Sequence, residues 1–242
     1  MAGSLSLCAL MVFLSGAPAR AIVGDSAPDA ALEAQSVMVL KRSHKGSGFC
    51  TGLVLSSRVV LTSAHCVARP IDTRLHWQNA QGEAVLIDVE RVVTHPQFRA
   101  QAPKTRERSI DLALVRSTKP LPFTPARLSS RDALALGEGV RIGGFGLTRE
   151  GVGPSGGRFR AADLVVRAPL SRVLGWAESG EGKPLGACTG DSGGGMFDAS
   201  GEVIGVVAWS SGAGARRCGG VTQSILVAPQ RGWIERVKAE LE

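Results

Sequence analysis

The chain has 242 residues, enough for one large all-β domain or two small ones. A hydrophobic fraction of 44% excludes disordered and fibrous classes. The formal net charge of +7 is spread along the chain rather than massed in one run, which points to a solvated basic surface and away from a nucleic-acid footprint. Tyrosine is absent and there are seven phenylalanines, for which the sequence offers no functional account.

The first residues read MAGSLSLCALMVFLSGAPARAIVGD. Leu5 to Leu14 is an apolar run of signal-peptide length, too short to cross a bilayer, and no Lys or Arg precedes it. Ala19-Arg20-Ala21 is a small-x-small cleavage pattern, with Ala17-Pro18-Ala19 as an overlapping competitor. Cys8 follows the bulky Leu7 inside the apolar run and is read as part of the signal, not as a lipid-anchored residue. The expectation is a signal peptide over 1–21 and export, to the extracellular space or a periplasm.

Export changes how the cysteines are read. Without Cys8 there remain Cys50, Cys66, Cys188 and Cys218, an even number in an oxidising compartment. Three connectivities are open to them; the spacings suit 50–66 and 188–218. A zinc site is the other use of such residues, but no CxxC pair supports it.

Short apolar runs then recur between Gly, Pro, Ser and Asn: Val37–Leu40, Leu53–Leu55, Val59–Leu61, Val85–Val93, Leu112–Val115, Leu164–Val166 and Val203–Trp209. Runs rich in Val and Ile, broken by frequent turn signals, predict an all-β sandwich or barrel. The stretch KPLPFTPARLSS, Lys119 to Ser130, divides the chain into near-equal halves and is the candidate connection between two β units. Only the end looks helical. Trp233, Ile234, Val237 and Leu241 make one helical stripe, and Pro229 sits where a helix of about 230–241 begins.

The chemistry centres on ACTGDSGGGM, Ala187 to Met196. Glycine gives up the most backbone entropy on folding, so a serine followed by three of them suggests a backbone of unusual dihedrals. Either this is a surface turn, or Ser192 is a nucleophile whose neighbouring N–H groups are free to bind an oxyanion. A nucleophilic serine needs a base, and histidine is the usual one. His44, His65, His76 and His95 all precede Ser192, which excludes the nucleophile elbow of α/β-hydrolases, where the histidine follows the serine. His65, in VVLTSAHCV, stands at a strand end beside Cys66; His44 and His76 are read as ordinary core or surface residues. Asp111 heads the buried-looking SIDLALV, where an unpaired carboxylate is costly and pairing with an imidazole removes the cost.

TSAHC, DLAL and GDSGG occur in the order His, Asp, Ser, and the sequence resembles the trypsin/chymotrypsin family of serine proteases. IVGD at Ile22 is similar to that family's mature start. FCTGLVLSSRVVLTSAHC keeps its cysteine spacing, and GGFG and GVVAWSSG fall where its barrel motifs belong. The likeness runs from Ile22 to about Glu242. It implies two packed six-stranded antiparallel β-barrels, about 22–120 and about 121–228, closed by the C-terminal helix. It implies a secreted serine endopeptidase with Ser192 as nucleophile, His65 as base and then acid, and Asp111 orienting His65. Gly190 and Ser192 would supply the oxyanion-hole N–H groups, and Asp191 would pair with the freed ammonium of Ile22. The primary pocket would be formed by Gly186 at its floor with Ala187, Ser210 and Gly220. With no carboxylate at Gly186, a buried Arg or Lys of the substrate lacks a counter-charge, so cleavage is expected after apolar residues. Ala21 rather than a basic residue precedes Ile22, so one cut on export would release the active chain without a zymogen stage.

The departures are Gly195 where the family has proline, Ala208 where a serine commonly supports the aspartate, Asp25 in place of a glycine, and the lack of the disulfide ahead of the nucleophile region. They keep open a protease-like binding protein with weak or no catalysis, and an esterase on the same fold. The resemblance implies no cofactor and no metal. It implies protein or peptide substrates, a protein inhibitor as a further partner, no membrane after signal removal, no nucleic acid, and a monomer.

Overall fold

The computed structural model describes residues 22–43, 46–105 and 107–242. The expected signal peptide and the reading of His44 lie outside the described residues. Strands β1 (Ser36–Ser43), β2 (Gly46–Val54), β3 (Val59–Thr62), β4 (Thr73–Gln78), β5 (Ala84–Thr94) and β6 (Ala113–Ser117) close into one barrel in the order β1-β2-β3-β6-β5-β4. Strands β7 (Gly139–Gly144), β8 (Arg160–Val166), β9 (Leu174–Glu178), β10 (Gly195–Phe197), β11 (Val203–Ser210) and β12 (Thr222–Leu226) close a second, in the order β10-β11-β12-β9-β8-β7. Every pairing is antiparallel. The two six-stranded barrels and terminal helix are those the resemblance implies.

Strand β3 shows why the apolar runs are continuous rather than alternating. All four of its residues are buried. Val60 points into its own barrel with Val39, Leu75 and Val115, while Val59 and Leu61 face a cluster shared by the two barrels. That shared cluster takes Leu53 and Leu114 from one side and Phe145, Phe197, Val206 and Ile225 from the other. A strand covered on both faces needs apolar residues at consecutive positions, and each such side chain contributes about 1.5–3 kcal/mol on burial.

The chain ends cross over. Val23 bridges Gly186 and Ala27 bridges Ala161, so the segment that opens at Ile22 docks on the second barrel. The C-terminal helix, Arg231–Leu241, packs instead on β6 of the first, burying the four stripe residues Trp233, Ile234, Val237 and Leu241. Pro229 lies in the 3-10 turn that leads into it. The proline-rich connection bonds to each barrel in turn: Ala126 N–H donates to Val54 O at 2.7 Å and Ser129 N–H to Val203 O at 2.8 Å. Among the described residues no helix is long and apolar enough to cross a membrane.

Candidate active site

His65 sits on a 3-10 turn, Ala64–Cys66, immediately after β3. Three tethers hold that turn. Cys66 is disulfide-bonded to Cys50 on β2. The buried hydroxyl of Ser63 donates to Val207 O on the other barrel at 2.8 Å. The Lys41 ammonium on β1 donates to the His65 carbonyl.

Asp111 lies between two fully buried apolar residues, Ile110 and Leu112, which anchor it at the entrance to β6. Leu112 is fixed further by His95, whose N–H donates to its carbonyl at 2.8 Å. The Asp111 carboxylate meets His65 twice. Oδ1 accepts the His65 main-chain N–H at 2.9 Å, and Oδ2 lies 2.6 Å from Nδ1 of the ring. A carboxylate on Nδ1 sets the tautomer that leaves Nε2 as an acceptor, and it stabilises the imidazolium once Nε2 takes a proton. His65 Nε2 and the Ser192 carbonyl both lie close to the Cys66 sulfur, at 3.7 and 3.6 Å.

Ser192 rides on a tight loop between the second disulfide, Cys188–Cys218, and β10. Gly190 and Gly193 have φ of +100° and +84°, values that side-chain-bearing residues rarely adopt. Space forbids a side chain as well: a Cβ at Gly190 would be 2.3 Å from the Phe49 ring, and one at Gly193 would be 2.1 Å from Thr51 O. At Gly195, where the resemblance leads one to expect proline, a Cβ would lie 2.2 Å from the Phe197 ring. The aromatic ring occupies the room that a larger residue needs.

Asp191 is buried within this loop, and its carboxylate accepts the N–H groups of Gly146 and Cys188, both at 2.8 Å. Burial pushes its carboxyl up to about 7, against the downward pull of those two N–H groups. Ile22 is fully buried in the core of the second barrel, and its carbonyl accepts the Ser26 hydroxyl at 3.1 Å. Its nitrogen is in peptide linkage to Ala21, so no ammonium faces Asp191 in this form of the chain.

His65 and Ser192 line one cleft of about 390 Å³, with Phe49, Thr189, Gly190, Ala208 and Trp209 among its walls. Of the four residues expected to shape a primary pocket, Ser210 lines this cleft, whereas Gly186, Ala187 and Gly220 do not. Gly186 and Ala187 are buried, and a Cβ at Gly186 would lie 2.6 Å from Gly220 O, so those two backbones pack directly on one another. Two cations line the cleft that sequence reading did not single out, Lys41 and Arg217, with no Asp or Glu beside them in the wall. Among the described residues neither forms an ion pair. The Arg217 main-chain N–H does meet the Glu150 carboxylate, 3.0 Å from each oxygen.

His76 bonds Val85 O at 2.9 Å within the first barrel, and His95 stacks edge-on against Trp233 at 4.6 Å. Among the described residues, Cys50, His65 and Cys66 are the one trio of His, Cys or acidic side chains close enough to share a metal. Both sulfurs are committed to their disulfide. Thr51, Ser63, Gly144 and Gly146 also build the site. The GGFG motif held the signal for the last two; their role as the bed of Asp191 needs the fold to be seen.

The trypsin family profile matches residues 21–234. The chain is 28% identical to trypsin of Sus scrofa over 195 residues, covering 74% of this chain and 81% of that protein. It is 30% identical to trypsin epsilon of Drosophila erecta over 215 residues, covering 81% and 80%. Among solved structures, one described as GrC superposes with a TM-score of 0.73 at 17% identity, covering 90% of this chain and all of that one. An inactivated protease paralogue of the scabies mite superposes with a TM-score of 0.67 at 21% identity, covering 88% and 97%. The fold is thus shared with proteins described as inactivated, and fold alone does not decide catalysis.

Proposed function

The chain belongs to the trypsin family and is a serine endopeptidase, and from that premise we propose that Ser192, His65 and Asp111 are its catalytic triad. In this reading Ser192 Oγ attacks the scissile carbonyl while His65 Nε2 takes its proton. His65 then returns the proton to the leaving amine, and water repeats the sequence to release the acyl group. The N–H groups of Gly190 and Ser192 receive the negative charge that develops on the carbonyl oxygen. The observation that carries the reading is the two-point grip of Asp111 on His65, at 2.9 and 2.6 Å, in a cleft shared with Ser192.

Activation and specificity extend the same proposal. A cut after Ala19-Arg20-Ala21 on export frees the Ile22 ammonium, which pairs with Asp191 and orders the loop without a zymogen stage. Placement of Val23 against Gly186 supports it, since that bridge brings Ile22 to the loop's base. Selectivity is for apolar over basic residues on the acyl side of the cut bond. Lys41 and Arg217 in the cleft wall support this, since they repel a substrate cation. Two disulfides suit an exported enzyme. The enzyme acts on protein or peptide substrates as a monomer, and protein inhibitors are a further class of partner.

Labelling with a fluorophosphonate tests the assignment, because only an activated serine reacts at an appreciable rate. One adduct per chain, mapped to Ser192 and lost in His65→Ala, is expected. An unlabelled chain, or an adduct on another serine, would refute it.

A further inference from the structure

We propose that Thr51 is the positioning residue of the oxyanion hole. The inference rests on the reading of Gly190 and Ser192 as the two donors, and it concerns what aims them. Thr51 follows Cys50 on β2 and is fully buried at the contact between the barrels. Its hydroxyl donates to Gly190 O at 2.9 Å, and its main-chain N–H donates to Ser192 O, also at 2.9 Å. The carbonyls of both proposed donors are therefore held by one residue of the opposite barrel.

The hydroxyl is itself oriented, because it accepts the Phe145 N–H at 3.0 Å and so turns its own hydrogen toward Gly190. The Thr51 carbonyl accepts the Thr62 hydroxyl at 2.7 Å, which fixes the strand on its other side. Gly190 needs such a tether. At φ of +100° it has no side chain to lock its rotation. Its N–H shares a peptide plane with the Thr189 carbonyl, which accepts the Leu147 N–H at 2.8 Å. The bond from Thr51 to its own carbonyl fixes the rotation on the other side of its Cα, so that the two tethers together aim the N–H. A donor that drifts by about 1 Å can cost 100-fold in rate while leaving substrate binding nearly intact.

Three variants test the proposal, with kcat and KM measured separately for a neutral peptide substrate. Thr51→Val keeps the shape and the N–H but removes the hydroxyl; kcat should fall about 10- to 100-fold with KM changed less than about threefold. Thr51→Ser restores the hydroxyl and should return kcat to within about threefold of the parent. Thr51→Ala serves in place of Thr51→Val should the latter not fold, with the same expectation. A peptide aldehyde, which forms the tetrahedral oxyanion, should lose affinity in Thr51→Val in parallel with kcat, and a non-covalent inhibitor should not. A kcat within twofold of the parent in folded Thr51→Val or Thr51→Ala, or a loss that Thr51→Ser fails to repair, would overturn the role of Thr51. A parent enzyme that fluorophosphonate does not label would instead overturn the catalytic reading beneath it.

Discussion

The Asp191 carboxylate rests on the main chain of Gly146: the Gly146 N–H donates to Oδ1 at 2.8 Å, and a Cβ at 146 would lie 2.4 Å from the carboxyl carbon. No flexible side chain stands there to give way, since the carboxylate is pinned on its other side by Cys188 N–H. Gly146→Ala should therefore displace the Asp191 loop, lowering stability by about 1–3 kcal/mol and turnover by at least tenfold. Urea unfolding together with peptide hydrolysis reads both effects. A variant matching the parent in both would show that the loop does not depend on this contact.

Asp191 also predicts a change of pH dependence on maturation. In the chain that continues before Ile22, its folded pKa of about 7 lies above the ordinary value near 4. Between those values the folded chain binds a proton that the unfolded chain does not. The contribution of this group is thus present at low pH and lost as pH rises through 7. In a Ser192→Ala background that retains the residues before Ile22, stability should fall from pH 5 to pH 8, and Asp191→Asn should flatten that fall. A chain beginning at Ile22 supplies the ammonium, favours the carboxylate and should lose the effect. An identical pH profile in both forms would contradict the proposed ion pair.

Much of this was legible in the sequence, for physical reasons. Val59–Leu61 and Val203–Val207 announce strands because their faces are covered on both sides, and TSAHC, DLAL and GDSGG are each one short run of sequence. Strand β10, by contrast, is three residues, Gly-Met-Phe, and is a strand only through its pairing with β7 and β11. Thr51 and Ser63 were not legible either. Their hydroxyls act across the barrel contact, on Gly190 and Val207, at sequence separations of 139 and 144 residues that no local pattern encodes. The expected pocket was read from positions alone, and the structure brings only Ser210 of its four residues to the cleft wall.

The two cations in that wall give a test of specificity. With Lys41 and Arg217 in the cleft wall and no Asp or Glu lining it, substrates with an apolar residue on the acyl side should exceed arginyl or lysyl ones in kcat/KM by at least tenfold. Arg217→Glu should narrow that gap. Preferential hydrolysis of arginyl or lysyl peptides by the parent would overturn the specificity proposal.

The disulfides should differ in consequence. Cys50–Cys66 braces the turn bearing His65, and Cys188–Cys218 braces the loop bearing Ser192. Removing either by paired Cys→Ala substitution should cost about 2–5 kcal/mol. Only the second should also disturb Asp191, whose carboxylate accepts the Cys188 N–H. Thermal unfolding and activity of each paired variant separate the two; activity equal to the parent in both variants would show that neither bridge positions the site.

The central claim is that Ser192, His65 and Asp111 act as one catalytic unit. Its most direct test is kcat/KM for a peptide with an apolar acyl-side residue, measured for Ser192→Ala, for His65→Ala and for the two combined. Each single substitution should lower turnover by about 10⁴- to 10⁶-fold, and the double variant should be no more than a few-fold worse, because a unit already broken has little more to lose. Turnover by Ser192→Ala within tenfold of the parent, or losses that multiply in the double variant, would contradict the account.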